Sequence, residues 1–69
     1  MKQPKFFTVY IDDKCIDLPK DTPIPQHGDK LFIAFRNKDY VGIVDYLCYH
    51  YTENLENNLY MIEIYTKSL

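Results

Sequence analysis

Few side chains in this sequence are equipped for chemistry. Two cysteines, Cys15 and Cys48, and two histidines, His27 and His50, supply the soft and borderline donors. No C-x-x-C pair and no other zinc-type spacing joins them. Cys48 and His50 stand at i and i+2, so in a strand they share one face. That makes half a metal site, and the expectation is that neither a metal nor a cofactor is bound. Read instead as nucleophile and base, the same pair lacks an orienting third group and a cleft that would exclude water. Asp12-Asp13 falls in a tight turn, where Asp serves the backbone. Ser68 is the sole serine, and two glycines, Gly28 and Gly42, are too few for a phosphate-cradling loop. The chain is therefore expected not to be an enzyme.

Composition narrows the class further. Sixty-nine residues make one small domain, 1–69. A chain of this length buries only about 60% of the surface it exposes when unfolded. Seven Tyr and four Phe compensate, each able to bury roughly 150–250 Å². The net charge of −2 speaks against a nucleic-acid partner held by phosphate contacts. The charge is uneven: residues 39–69 carry Lys67 alone against Asp39, Asp45, Glu53, Glu56 and Glu63. No stretch approaches the ~20 apolar residues of a membrane helix, so no membrane partner is expected. No apolar run of signal-peptide length follows Met1 to Lys5, and a cytoplasmic location with reduced thiols is the expectation.

Strand periodicity organises what remains. Phe7, Val9 and Ile11 alternate with Thr8, Tyr10 and Asp12. A loop at Asp13-Lys14 would set Ile11 opposite Ile16 and Val9 opposite Leu18. Pro19 to Asp29 contains three prolines and is excluded from any central element. Lys30 to Thr52 reads as a hairpin about Asn37-Lys38-Asp39, pairing Phe35 with Val41, Ile33 with Ile43 and Leu31 with Asp45. The last hairpin closes through Glu53–Asn58 and pairs Leu47 with Ile64, Cys48 with Glu63, Tyr49 with Ile62 and Tyr51 with Tyr60. Strands are expected near 6–12, 15–18, 30–36, 40–52 and 58–67.

These registers agree on one core face: Phe7, Val9, Ile11, Ile16, Leu18, Leu31, Ile33, Phe35, Val41, Ile43, Leu47, Tyr49, Ile62 and Ile64. Asp45 is the exception, to be explained by a rim position beside Thr66 or by a bulge that turns it outward. The fold expected is an all-β, five-stranded antiparallel meander curled into a small half-open barrel of SH3-like type. A twisted five-stranded sheet with a helical turn in the proline loop is the alternative.

The opposite face is too apolar for plain solvent. It is read as Phe32 beside Val44 and Tyr46 beside Tyr65, with Ala34 and Gly42 facing each other across a shallow depression. Contiguous apolar patches of this kind tend to mark interfaces, and Tyr is enriched in interface cores. Phe32, Ala34, Gly42, Val44, Tyr46 and Tyr65 are accordingly the candidate partner-binding residues, unless the arm Met1–Lys5 or the proline loop covers them. The expected role is a non-catalytic module that binds a partner protein or a second copy of itself. Compact, acidic, motif-poor all-β chains of this size resemble small accessory proteins of phages and mobile elements, some of which block a host protein by occupying its surface. A small nucleotide or single-stranded nucleic-acid binder, stacking bases on Tyr46, Tyr65 or Phe32, and a component of a larger assembly are the alternatives.

Overall fold

A computed structural model describes residues 6–53 and 59–68. Its strands are β1 (Phe6–Ile11), β2 (Lys14–Asp17), β3 (Lys30–Phe35), β4 (Lys38–Tyr51) and β5 (Leu59–Lys67). They form one mixed sheet in the order β2-β1-β5-β4-β3, curled into a nearly closed barrel. The all-β reading with five strands holds, but the all-antiparallel meander does not. β1 lies parallel to β5, with Phe7 against Ile62 and Val9 against Ile64. The remaining contacts are antiparallel. The physical reason is β5 itself. It is rich in β-branched and aromatic residues, and a strand of that kind left with an open edge would template association. β1 occupies that edge. The proline segment then carries the chain from β2, at one margin of the sheet, to β3 at the other.

Turn chemistry sets the two early hairpin registers, and both differ from the sequence expectation. Asp12 and Asp13 have φ of 46° and 65°, and Arg36 and Asn37 have φ of 53° and 64°. Paired positive φ values make two-residue hairpin loops whose twist matches that of the strands. The first loop pairs Val9 with Ile16 and Tyr10 with Cys15. The slip is an even number of residues, so the apolar face survives. The second loop pairs Ile33 with Tyr40, Phe32 with Val41 and Leu31 with Gly42. Here the slip is odd and exchanges the faces of β4. Tyr40, Gly42 and Val44 point inward, while Val41 and Ile43 point outward and are only half-buried.

A bulge at Asp45 reverses the exchange. Val44 pairs with Thr66 and Tyr46 with Tyr65, leaving Asp45 as the extra residue. Beyond it Leu47 faces inward opposite Ile64, and Cys48 faces outward opposite Glu63, as the sequence pattern indicates. The carbonyl of Asp45 accepts from His27 Nδ1 at 2.6 Å. Gly28 N donates to Val44 O, and Val44 N to Asp29 O. The end of the proline segment thus satisfies the backbone that the bulge would otherwise leave unpaired.

The core is Phe7, Val9, Ile11, Ile16, Tyr40, Val44, Leu59, Ile62 and Ile64, with Leu18, Leu31, Ile33, Phe35 and Leu47 packed against it. Val41 and Ile43 leave the expected core for the reason just given, and Tyr49 is 45% exposed. Gly42 has a packing role: a Cβ there would lie 3.0 Å from Ile11 Cδ1 and 3.1 Å from Thr66 Cβ. The arm Met1–Lys5, considered as a cover for the outer patch, and positions 54–58 of the loop before β5 lie outside the described residues.

Ile62 lies fully buried in β5, flanked by β1 and β4. Ile62→Ala should cost about 2–5 kcal/mol in urea unfolding, as buried Ile truncations do. Ile43→Ala, on the outer side, should cost clearly less. Equal losses for the two would contradict the exchange of faces in β4.

Candidate functional site

The convex face of the sheet is built from side chains that the pleat places in rows across the strands. One row runs Cys15, Tyr10, Tyr65, Tyr46 from β2 through β1 and β5 to β4. The next runs Asp17, Thr8, Glu63, Cys48 along the same path. His50 follows Cys48 two residues on and pairs with Met61.

In the first row the three tyrosine rings stack. Tyr10 and Tyr65 have centroids 4.8 Å apart with planes at 13°, and Tyr65 and Tyr46 are 4.6 Å apart at 14°. These separations match the ~4.7–4.9 Å between neighbouring strands, so the backbone ladder itself sets the ring spacing. Each such contact contributes about 0.5–1.5 kcal/mol beyond burial. Tyr10 and Tyr65 are half-buried, whereas Tyr46, at the end of the stack, is 53% exposed.

The second row centres on the Glu63 carboxylate. Its Oε2 accepts from the Tyr10 hydroxyl at 2.6 Å, and its Oε1 lies 2.6 Å from His50 Nε2. An ionised carboxylate can only accept, so Nε2 carries the proton in that contact. The hydrogen bonds from Tyr10 and His50 hold Glu63 below the ordinary carboxylate range, against the opposing effect of burial. The Tyr65 hydroxyl adds a smaller effect in the same direction as those bonds, favouring the ionised carboxylate. The Tyr10 hydroxyl is pushed up, first by its bond to Glu63 and then by burial. Tyr65 is raised as well, chiefly by burial. Beside them, Thr8 Oγ1 donates to Asp17 Oδ1 at 3.0 Å.

Cys48, His50 and Glu63 bring a thiol sulfur, an imidazole nitrogen and a carboxylate oxygen within 4.8 Å of one another. Among the described residues this is the trio able to hold a metal ion. The sequence reading places Glu63 beside Cys48 but counts only Cys and His as donors, and so stops at half a site. Tyr10 escapes it altogether, because its approach to Glu63 depends on the long-range parallel pairing. Elsewhere an open polar hollow of about 660 Å³ is lined by Asp12, Asp13, Lys38, Thr66, Lys67 and Ser68.

The six expected partner-binding residues divide. Tyr46 and Tyr65 meet as expected. Phe32, 73% exposed, sits against Val41 rather than Val44. Ala34 is outward and pairs with Asp39. Gly42 and Val44 are buried on the concave side, so the expected depression between Ala34 and Gly42 does not form. In its place, the convex surface of the β3–β4 hairpin carries Phe32, Val41 and Ile43. Comparison with protein-family models, with curated proteins and with solved structures finds no match.

The Glu63 network makes stability depend on pH in two windows. The lowered pKa of Glu63 contributes stability that is complete above its ordinary value of 4.5 and is lost as acid titrates it in the folded state. The raised pKa of Tyr10 contributes stability that is complete below its ordinary value of 10.0 and is lost as pH rises beyond it. Thermal melts across pH in the presence of a chelator should therefore show both declines. Glu63→Gln should flatten the acid limb and Tyr10→Phe the alkaline one. An unchanged acid limb in Glu63→Gln would mean that other carboxylates control it.

Proposed function

We propose that this chain is a non-catalytic interaction module that docks on a partner protein through its convex sheet face. The observation that carries the reading is the locked tyrosine stack, ending in the exposed Tyr46. A ring already held by its neighbours loses little freedom on docking, which is how a rigid aromatic anchor gains affinity. Phe32, Val41 and Ile43 extend the apolar surface along the neighbouring hairpin. Lys30, whose ammonium lies 5.9 Å from the Phe32 ring centroid, together with Lys67 and Asp39, gives that surface a mixed-charge rim. An apolar centre with a polar rim is the usual anatomy of a protein–protein contact. Two lysines and a net charge of −2 are a poor match for a phosphate backbone. The resemblance to small accessory proteins of phages suggests what the docking achieves, namely obstruction of a host protein's own surface.

The test begins with a partner captured by the tagged chain and purified. Tyr46→Ala and Phe32→Ala should each weaken its binding about tenfold or more, a loss of ~1.4 kcal/mol or greater, as interface aromatics do. Tyr51→Ala, an exposed tyrosine near the far end of β4, should leave binding unchanged. Equal affinity for all three variants would remove the convex face from the interface. Light scattering that shows mass rising with concentration, abolished by the same two changes, would turn the proposal toward self-association. A melting temperature raised by nucleotides and lost in Tyr46→Ala would replace protein docking with base stacking.

A further inference from the structure

We propose that Cys48, His50 and Glu63 form a mononuclear site for a borderline divalent transition ion, Zn²⁺ best of all, with water completing its shell. The proposal does not rest on the docking reading, since binding of an ion needs no partner.

Geometry supplies the first support. Cys48 and Glu63 are direct cross-strand partners, and His50 lies two residues from Cys48 on the same face. Direct pairs in an antiparallel ladder hold their Cβ atoms ~4.5–5.5 Å apart. Strands are also stiffer platforms for a site than loops. The donor atoms already lie within 4.8 Å of one another. Tetrahedral zinc with bonds of about 2.0–2.3 Å places neighbouring donors roughly 3.3–3.7 Å apart. His50 and Glu63, now 2.6 Å apart, would open by under about 1 Å, a side-chain adjustment that leaves the sheet intact.

Donor chemistry is the second. A thiolate, an imidazole and a carboxylate together favour Zn²⁺ over Mg²⁺ or Ca²⁺, which take oxygen ligands. The thiolate and the carboxylate balance the charge of the ion. The support around the ligands is the third. Tyr10 grips Glu63 Oε2 at 2.6 Å, which fixes the carboxylate and presents Oε1 toward His50. Hydrogen bonds of this kind orient metal ligands and tune them.

Proton balance follows from the ligand states. Cys48 releases its thiol proton to solvent as the sulfur–metal bond forms. His50 moves its proton from Nε2, where it now bonds Glu63, to Nδ1, and binds through Nε2 as a neutral ring. In the absence of the ion, the His50–Glu63 hydrogen bond occupies the same place.

The experiment uses the full chain, reduced, titrated with Co²⁺ and then with Zn²⁺ in competition with a chromophoric chelator. One ion per chain is expected, with a thiolate-to-cobalt charge-transfer band in the near ultraviolet. Cys48→Ser should abolish the band and weaken Zn²⁺ binding at least tenfold. His50→Ala, changed on the exposed side of the trio, should weaken it comparably and serves if Cys48→Ser fails to fold. Cys15→Ser should change nothing, and Mg²⁺ should not compete. Zn²⁺ should raise the melting temperature of the parent chain and not that of His50→Ala. Absence of the band, its loss in Cys15→Ser, or half an ion per chain would each overturn the proposal.

Discussion

The parallel contact between β1 and β5 is the constraint on which the rest of the molecule depends. Without it the chain is two antiparallel pieces, a short hairpin and a three-stranded meander, each with an apolar side and no means of covering it. Joined through this contact, Phe7 and Val9 meet Ile62 and Ile64 on the concave side. On the convex side the same contact brings Tyr10 onto Tyr65 and Thr8 beside Glu63. Core and candidate site are thus two faces of one pairing. Parallel pairing also carries a long loop-closure cost, because most of the chain separates its two strands. The Tyr10–Glu63 and Thr66–Tyr10 hydrogen bonds add polar, directional contacts at that junction.

Much of this was legible in the sequence, and the failures have identifiable physical causes. The β4–β5 register could be read from Leu47 to His50 because Leu47 and Tyr49 alternate with Cys48 and His50, and Ile62 and Ile64 with Met61 and Glu63. In the segment Tyr40 to Val44 both faces are apolar, so alternation alone cannot say which side is inward. The decision falls to the turn, and Arg36 in a left-handed conformation is a poor advertisement for a two-residue loop. The expected three-residue loop inverted the segment. Asp45 is anomalous on the apolar face of the sequence pattern, and the bulge is one of the two explanations its position allows. The parallel strand pair left no local trace at all. Sequence pattern reports which face a strand buries, whereas its neighbours are settled by the competition of all the edges for partners.

The convex face also explains how so short a chain holds together. A chain of 69 residues has little interior, and small scaffolds usually recruit a metal, disulfides or a partner. Both cysteines are free here. The stacked rings and the hydrogen-bonded Glu63 form a second ordered layer, in which even Thr8, on the outward side of β1, is buried. The proposed recognition would therefore draw on the same side chains as stability. A partner that engages Tyr46 meets a surface whose rigidity is inherited from the fold.

The bulge at Asp45 has a consequence for how this sequence tolerates change. It divides β4 into two segments of opposite parity. The segment before it pairs with β3 along Lys38–Ile43 and meets β5 at Ile43 and Val44, and the segment after it keeps step with β5. Loss or gain of a single residue at this point shifts the hairpin's frame against the meander's by one. The convex rows from Tyr46 onward keep their alignment with β5 through such a change. The outward side chains of the β3–β4 hairpin are thus free to exchange, whereas a one-residue shift would turn its inward Tyr40, Gly42 and Val44 out of the core. The tyrosine and glutamate rows, tied into three strands at once, have no comparable freedom.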